Sequence, residues 1–470
     1  MKLSHRFPPA SAVFDDPNLV SAAGLIPVVK LAQDAGLSAL ADQHLSVPGD
    51  KGAHAGNKVM SLVAGMVAGG DSIDDMALLR HGGMGTVFDR PYAPSTLGSF
   101  LRAFTFGHVR QLDAVASRFL TSLGASTPLV AGIGARVLVD VDDTVIEVHG
   151  YAKQGSGYGH SGVRGLNALL ATAASDQGAP VIVAQRLRKG SSGSSRGAAR
   201  LITDALAAVR KLRPPDTLAT AGPVLLRADS AFYGHLGVAA AVRAGANVSI
   251  TVRLDPKVRA AIAAIDQDAW TTIEYTDAIF EEATNTWVSR AQVAEIPFTA
   301  FGRRRPSEQV RGRLVVRRIP DLNKAGSGQE TLFDTWRFHA FFTTTDPELQ
   351  DTVAADKTHR GHAIIEQVHA DLKNSALAHL PSGKFTANAA WLVLAVIAFN
   401  LTRAAASTTG YPSLAKATTA TIRRKLITVP ARIASSAKRL KLHLPTGWPW
   451  QDAWTELFTQ TCGPPQSATP

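Results

Sequence analysis

Three closely spaced aspartates interrupt an apolar stretch of the chain, and their side chains are the ones best suited to chemistry. The stretch is residues 137–149, VLVDVDDTVIEVH, whose β-branched residues are typical of a strand covered on both faces. An unpaired carboxylate in such a strand costs several kcal/mol, so a cation, a metal ion or a site at the strand end is expected. Because side chains alternate along a strand, Asp140 and Asp142 should share one face, with Asp143 on the other. We predict a metal or catalytic site here; the alternative is a strand end with capping carboxylates.

Two further carboxylates follow in positions that a fold could bring to the same place. Asp229 comes directly after the apolar run 224–228, and Glu366 lies in a long predicted helix, 346–378. Glu366 shares one face of that helix with basic or titratable residues at spacings of three and four, which are His359, His362, His369 and Lys373. We interpret this face as functional; the alternative is an ordinary solvated surface.

Asp142, Asp229 and Glu366 form a set with a definite chemistry if the fold brings them together. Three carboxylates that converge from separate elements can hold two divalent metal ions, which serve phosphodiester chemistry. Oxygen ligands, in a chain without a cysteine-based site, favour Mg²⁺ or Mn²⁺. The residue types therefore predict a site for two such ions.

The elements that must position these carboxylates are predicted from hydrophobic periodicity. From residue 136 the order is strand, strand, strand, helix, strand, helix, strand. The segments are 137–149, 166–174, 180–187, 197–212, 224–228, 234–244 and 247–254. This order is typical of an RNase H-like core, a mixed sheet flanked by helices. Four later segments have strand-like patterns and predict an antiparallel insertion; the alternative for the last of them is a strand that leads into the next helix. They are 270–275, 286–296, 311–319 and 336–343.

The chain is strongly basic, and much of the charge lies near the C-terminal end of the sequence. The net charge is +11, and residues 373–470 carry eleven Lys and Arg against two acidic residues. A second basic cluster consists of Arg303, Arg304, Arg305, Arg311, Arg313, Arg317 and Arg318. Such density favours binding to the phosphates of nucleic acid. The alternatives are an anionic membrane surface or a solvated helical face.

Cysteine content and hydropathy indicate a reducing, cytoplasmic setting. The single cysteine, Cys462, excludes an intramolecular disulfide and a cysteine-based zinc site. No secretory signal is recognised at the start of the sequence. The longest apolar run, 389–399, is shorter than the roughly 18 residues of a spanning helix and predicts a core helix.

Taken as an ordered set, the motifs between residues 136 and 403 resemble those of a known family. The motifs are DVDDT at 140–144 with VHG at 148–150, GYGHSGVRGLN at 157–167, RADSAF at 227–232, and Glu366 with Lys373 seven residues later. They resemble the DDE transposases of bacterial insertion sequences, specifically the group named after insertion sequence 1380.

The resemblance implies an activity and a catalytic set. In these transposases the first aspartate is followed two residues later by Thr, which selects Asp142 over Asp140. The second aspartate and the glutamate correspond to Asp229 and Glu366, with two Mg²⁺ or Mn²⁺ ions as cofactors. The implied reaction is hydrolysis at the inverted-repeat ends of a transposon, followed by strand transfer into target DNA. The implied partners are these DNA ends, target DNA and a second copy in a synaptic homodimer, in a bacterial cytoplasm and at the nucleoid when bound to DNA.

The resemblance also suggests how the chain is divided. The implied fold class is α/β, with an RNase H-like mixed-sheet core, an inserted antiparallel β subdomain and an α-helical N-terminal domain. The expected divisions are a helical DNA-end-binding domain at 1–130, the first part of the catalytic core at 131–260, the β subdomain at 261–335, the second part of the core at 336–403, and a basic C-terminal region at 404–470. The helices of the first region fit a helix-turn-helix, although any small helical bundle has the same pattern.

The chain departs from the family pattern beside the glutamate. Related transposases carry Tyr and Arg before it, whereas His359 and His362 occupy those two positions here, with Arg360 next to the first. We therefore give the candidate DNA contacts as a wider set: Lys373, His362, Arg360, His359, Arg303, Arg304, Arg305, Arg423, Arg424 and Lys425.

Two other functions remain open from the sequence. One is a non-catalytic DNA-binding derivative of a transposase. The other is a haloacid dehalogenase-type phosphatase, because residues 137–144 fit the pattern hhhDxDxT with Asp140 as nucleophile and Asp142 as acid. The paired acidic motif of that class, GDxxxD, occurs only at 70–75, before the first motif. A further segment, 190–197, GSSGSSRG, lacks the ending of a phosphate-binding P-loop and predicts a flexible turn.

Overall fold

The computed structural model describes residues 11–89, 91–150, 152–159, 162–281, 286–320, 336–436 and 439–463. It is a mixed α/β structure with a large mixed sheet and many helices. Residues 321–335, which end the predicted β subdomain, lie outside the described residues, as do His160 and Ser161 of the glycine-rich motif.

The strands of the structure are numbered along the chain. They are β1 (Leu19–Val20), β2 (Val137–Glu147), β3 (Gly157–Tyr158), β4 (Arg164–Ala174), β5 (Val181–Lys189), β6 (Val224–Ala228), β7 (Asn247–Thr251), β8 (Thr271–Glu281), β9 (Thr286–Ala300), β10 (Val310–Pro320), β11 (Trp336–Thr343), β12 (Ala431–Ser436) and β13 (Arg439–His443).

Ten of these strands form one sheet. Its order is β3-β4-β2-β6-β7-β11-β10-β9-β8, and β5 pairs with β4 beside β3. Strands β2, β6 and β7 are parallel, whereas β4 and β5 run antiparallel beside them. Strands β8 to β11 join edge to edge through antiparallel pairs and continue the same sheet beyond β7. Strands β1, β12 and β13 form a separate small sheet.

The helices are numbered in the same way. They are α1 (Leu25–Asp34), α2 (Leu37–His44), α3 (Ala55–Ala68), α4 (Met84–Val87), α5 (Pro94–Arg102), α6 (Phe106–Ser126), α7 (Ala198–Leu212), α8 (His235–Arg243), α9 (Pro256–Ala263), α10 (Thr352–Arg360), α11 (Ile364–Lys373), α12 (Phe385–Thr408), α13 (Pro412–Ala415), α14 (Thr419–Ile422) and α15 (Gln451–Cys462).

Helix α12 lies at the centre of the molecule. It contacts α3 and α6 from the first part of the chain and β5 of the main sheet. Its 24 residues are apolar and long enough to cross a membrane by length and composition, and among the described residues it is the one such helix. The window that passes this test is wholly buried inside the protein, and Trp391 within it is fully buried. The prediction of a core helix at 389–399 is confirmed.

The long helix predicted at 346–378 is not continuous. It begins at Thr352, and α10 and α11 are separated by a 3-10 turn, Gly361–Ala363. The prediction that one helix carries His359, Glu366 and Lys373 along a single narrow face is therefore wrong. The apolar periodicity continues through the turn, which is why the sequence pattern does not indicate the break.

Candidate active site

Asp142 and Asp229 lie on neighbouring parallel strands at the same end of the sheet. The paired residues of β2 and β6 end with Val141 opposite Ala228, so the two aspartates follow directly on adjacent strands. Asp229 also caps a short 3-10 turn, because its carboxylate accepts a hydrogen bond from the N–H of Ala231 at 2.9 Å. Ligands of open α/β sheets bind at such carboxyl ends.

An open cleft of about 1000 Å³ lies over this end of the sheet. Both aspartates line it, together with Asp143 and two cations, Lys373 and Arg253. Its other walls come from β2, from the glycine-rich region around β3, and from the loop between β5 and α7. The cleft is open to solvent, and its lining is about half polar and half apolar.

The electrostatics of the cleft favour a bound cation. Burial raises the pKa of Asp229, and the negative charge of Asp142 raises it further. Burial lowers the pKa of Lys373, while Asp142 acts in the opposite direction. A buried carboxylate whose pKa is raised by a neighbouring carboxylate forms with it a donor set that a hard divalent ion stabilises. The residues present therefore fit a divalent metal ion at Asp142 and Asp229.

Glu366 lies on α11, the helix that contacts β2. His369, one turn later on the same face, is 5% exposed and places its Nε2 3.5 Å from Asp142 Oδ2. Lys373 lies one further turn along this face. Glu366 is exposed, and the described residues contain no group of three His, Cys, Asp or Glu close enough to hold a metal ion. Glu366 as third ligand therefore stays a prediction.

Asp140 is outside the cleft, in the interior of the protein. Its side chain is fully buried, and both carboxylate oxygens accept hydrogen bonds from Arg227, at 2.8 and 2.7 Å. The Nδ1 of His362 lies 2.9 Å from Asp140 Oδ1. Asp140 is therefore inaccessible to a substrate. Its carboxylate has a structural role in the sheet.

The sequence as a whole matches one protein family. The family described as transposase DDE domain group 1 matches residues 7–461, which is almost the entire chain. The chain belongs to this family of DDE transposases. No curated protein matches it.

The histidines that occupy the family's Tyr and Arg positions make contacts inside the transposase. The ring of His359 stacks on Phe341 with centroids 4.0 Å apart and lies within hydrogen-bond distance of Ser249 and Thr251. Burial lowers the pKa of His359 to about 3, so the ring is neutral at physiological pH. Together with the contact of His362 to Asp140, these rings fix α10 and the following turn against the sheet.

Arg303, Arg304 and Arg305 lie in an exposed turn between β9 and β10. Phe301, at the start of this turn, stacks on Tyr233 with centroids 5.3 Å apart. Tyr233 follows Asp229 by four residues, so the turn lies at the same end of the sheet as the cleft. Phe301 adopts a left-handed φ of 59°, unusual for a bulky residue.

The other candidate DNA contacts differ in exposure. Arg360 donates to Asp356 at 2.9 Å. Arg423 donates to the carbonyl oxygen of Val67, and the Nζ of Lys425 lies 5.1 Å from the centre of the Trp450 ring. Arg424 is exposed. None of these four lines the cleft among the described residues.

The basic cluster predicted at 303–318 divides into two parts in the transposase. Arg313 and Arg318 are buried, the first paired with Glu295 at 2.5 Å and the second stacked between Trp270 and Trp336. These arginines stabilise the sheet extension and do not form a continuous basic surface with 303–305.

Sequence reasoning missed two features of the cleft. Arg253 lines it just after β7, where a single exposed arginine has no distinguishing pattern. Asp143 is held by Arg188 and Asn167 from β5 and β4. A polar residue in each of two otherwise apolar strands is a signal that could have indicated this network.

Proposed function

We propose that this transposase cuts DNA at the ends of its element and joins the freed 3′ ends to target DNA, with Asp142, Asp229 and Glu366 as catalytic residues. The observation that carries the proposal is the pair of aspartates on adjacent parallel strands, with the pKa of Asp229 raised by burial and by its neighbour. A cation bound between the two carboxylates offsets their repulsion, and phosphodiester chemistry uses such a cation.

Each residue of the cleft has a proposed role. Asp142 and Asp229 would together hold two Mg²⁺ or Mn²⁺ ions, and Glu366 would complete one of the sites from its face of α11. When bound, such ions supply an activated oxygen nucleophile and stabilise the leaving oxygen. Lys373 and Arg253, both at the cleft wall, would neutralise phosphate charge and hold the strand in place.

The strand order supports an RNase H-like catalytic core. Counting only β2, β4, β5, β6 and β7 as first to fifth, the order across the sheet is third, second, first, fourth, fifth, with the second antiparallel to the first. In this reading β8 to β10 belong to the insertion at 261–335, and β11 and α11 return the chain to the core. We assign the chain to the insertion sequence 1380 group on its motifs.

Binding to DNA would involve surfaces on both sides of the cleft. Arg303, Arg304 and Arg305 are exposed at the cleft end of the sheet and suit backbone contacts. We assign reading of the terminal repeats to the helices of residues 1–130, with further backbone contacts from Arg424 and neighbouring basic residues. The two ends would be held by a homodimer, in the bacterial cytoplasm.

The test is cleavage of a labelled duplex that carries the element's terminal repeat, with Mg²⁺ present. Asp229→Asn keeps a side-chain acceptor for the Ala231 N–H but removes the charge, so it should abolish cutting while DNA binding persists. The matched control is Asp176→Asn, an exposed acidic residue on the far side of the sheet from the cleft. Cutting that survives in the Asp229→Asn variant would refute the proposal.

A non-catalytic DNA-binding role is the second candidate, favoured by one observation. The described residues contain no group of three His, Cys, Asp or Glu close enough to hold a metal ion. If the native protein binds the repeats and never cuts them with Mg²⁺ or Mn²⁺, this function replaces the first. The phosphatase interpretation loses its support, because its nucleophile, Asp140, is fully buried and paired with Arg227.

A further inference from the structure

A loop rich in serine and glycine forms one wall of the cleft. It is residues 190–197, GSSGSSRG, between β5 and α7. Its first six residues, Gly190 to Ser195, line the same cleft as Asp142 and Asp229. The loop contains neither apolar nor aromatic side chains. None of the proposed catalytic residues lies in this wall of the cleft, so the proposed mechanism gives the wall no function.

Arg188 connects the loop to the strand that carries Asp142. The arginine is 9% exposed. Its Nη1 donates to three carbonyl oxygens of the loop at 3.2, 2.9 and 2.7 Å, those of Gly193, Ser194 and Arg196. Its Nη2 donates to Asp143 Oδ2 at 2.6 Å. One guanidinium group therefore holds both the loop and the neighbour of a proposed metal ligand.

Asn167 completes the network from β4. Its side-chain N–H donates to Asp143 Oδ2, and its Oδ1 accepts from Arg188 Nε at 2.9 Å and from Nη2 at 2.6 Å. The bonded oxygen atoms of Asp143 and Asn167 thus lie on one edge of the guanidinium, and the loop carbonyls lie on the other. A buried guanidinium is stable only when oxygen atoms accept its hydrogen bonds. The hydrogen bonds of Arg188 therefore determine the position of the loop.

The carbonyl contacts determine where the loop directs its N–H groups. In a trans peptide the C=O and the following N–H point in opposite directions, and the described chain has no cis peptide. The three carbonyls point at Arg188, so the N–H groups of Ser194, Ser195 and Gly197 point away from it. Within the described part of the chain these N–H groups donate to no acceptor.

We propose that Arg188 is a positioning residue that holds loop 190–197 against the phosphate backbone of the DNA strand in the cleft. The inference rests on the proposed function and names a contact for its substrate. Free N–H groups, serine hydroxyls and the exposed Arg196 are donors suited to phosphate oxygens. A Cβ at Gly193 would meet no atom within 4 Å, so a strand can approach the backbone closely there. The contact is independent of base sequence.

The first test adds charge to the loop. Ser195 is exposed and its side chain makes no hydrogen bond in the described structure. Ser195→Glu should weaken binding of a terminal-repeat duplex by about tenfold, and should lower the slope of log K against log salt by about 1. Ser195→Gln, of equal size, should weaken binding much less. Fluorescence anisotropy between about 50 and 200 mM KCl measures both quantities.

A control separates the loop from the general charge of the protein. Ala219→Glu adds the same charge to an exposed turn that precedes β6, at the other end of this strand from Asp229. It should leave the affinity and the salt slope unchanged. If Ser195→Glu also leaves both unchanged, the loop does not contact DNA and the inference is wrong. A variant that is merely misfolded would bind less DNA in total with the native salt slope.

The second test concerns the arginine. Arg188→Lys keeps the charge beside Asp143 but cannot bond to the loop and the carboxylate at once. It should raise KM for the duplex and lower the salt slope, as Ser195→Glu does. Both changes act through one loop. The double variant should therefore bind the duplex with about the same affinity as Ser195→Glu alone. Additive losses would show that Arg188 does not act through the loop.

The outcome also distinguishes this inference from the proposed function. Native protein that neither binds nor cuts the terminal repeat refutes the proposed function. Native protein that binds and cuts, with Ser195→Glu and Arg188→Lys equal to it, refutes only the role of the loop.

Discussion

Three neighbouring aspartates of β2 have different environments, because side chains alternate between the two faces of the strand and because the residues lie at different distances from the cleft. Asp140 points into the protein and is paired with Arg227, whereas Asp142 lies on the same face two residues nearer the strand end and reaches the cleft. Asp143 points to the other face and meets Arg188. A single strand therefore supplies a structural ion pair, a proposed metal ligand and a loop anchor within four residues.

The structural role of Asp140 predicts a large loss of stability when its carboxylate is removed. Asp140→Ala leaves Arg227 buried without its partner, which should lower the free energy of unfolding by about 3–5 kcal/mol. Asp142→Asn is the matched control, because removing one of two repelling carboxylates should cost little or should stabilise the protein. Urea unfolding of both variants measures the difference. Equal losses for the two would contradict the assignment of Asp140 as structural.

The neutral His359 predicts a stability that falls in acid. In the folded protein the pKa of His359 is about 3, below the ordinary value of 6.5. Between these pH values the imidazole binds a proton in the unfolded chain but not in the native protein. His359 therefore lowers the free energy of unfolding by up to about 1.4 kcal/mol per pH unit as the pH falls below 6.5. His359→Phe keeps the stacking on Phe341 but should flatten this part of the pH profile.

The measurement for His359 is the free energy of unfolding of native and variant protein at pH 8, 7, 6 and 5. Between pH 8 and 7 the two profiles should be nearly parallel, because above pH 6.5 the unfolded histidine is mostly neutral. The variant starts from lower stability, since the contacts to Ser249 and Thr251 are lost. Parallel profiles down to pH 5 would mean that the ring is not held neutral.

At the scale of elements, periodicity predicts most of the main sheet and fails at two connections. The seven segments from 137 to 254 correspond to β2, β4, β5, α7, β6, α8 and β7. Their patterns are strong because each is buried on a defined face. The pairing of β7 with β11, which continues the sheet, depends on backbone register between segments far apart in sequence, and no local pattern contains that information.

The second of these connections is the turn at Gly361–Ala363, which determines the face that the following helix, α11, directs towards the cleft. A Cβ on Gly361 would lie 2.8 Å from Arg227 Nη1, and this arginine is pinned by Asp140 and by its bond to the carbonyl of Thr358. The sequence could not predict this close approach, because Arg227 is 134 residues earlier. The same connection explains why the position of Glu366 could not be derived from helical spacing.

Gly361→Ala should therefore destabilise the protein, although alanine favours helices. Overpacking against the pinned guanidinium should cost about 1–3 kcal/mol. Gly85→Ala is the matched control, since a Cβ there meets no atom within 4 Å and α4 should gain up to about 1 kcal/mol. Thermal unfolding of the two variants, followed by circular dichroism, gives the comparison. Stabilisation by both changes would show that Arg227 moves freely.

At the scale of the whole molecule, the helices of the first part of the chain and the main sheet share one core. Helix α12 packs on α3 and α6 on one side and on β5 on the other. Asp113 of α6 pairs with Arg186 of β5 at 2.8 Å, and this arginine pairs with Asp204 of α7 at 2.6 Å. Burial raises the pKa of Asp113, as expected of a carboxylate enclosed between these elements.

This shared core predicts that the main sheet does not fold without the N-terminal helices. A fragment of residues 131–463 would expose the face of α12 that α3 and α6 cover. An exposed apolar face of this size leads to aggregation, since it has no other partner. We expect the fragment to be insoluble alone and to become soluble when residues 1–130 are co-expressed as a separate chain. Size-exclusion chromatography with circular dichroism measures this, and a monodisperse, folded fragment would establish instead that residues 1–130 form an independent domain, as the sequence divisions suggest.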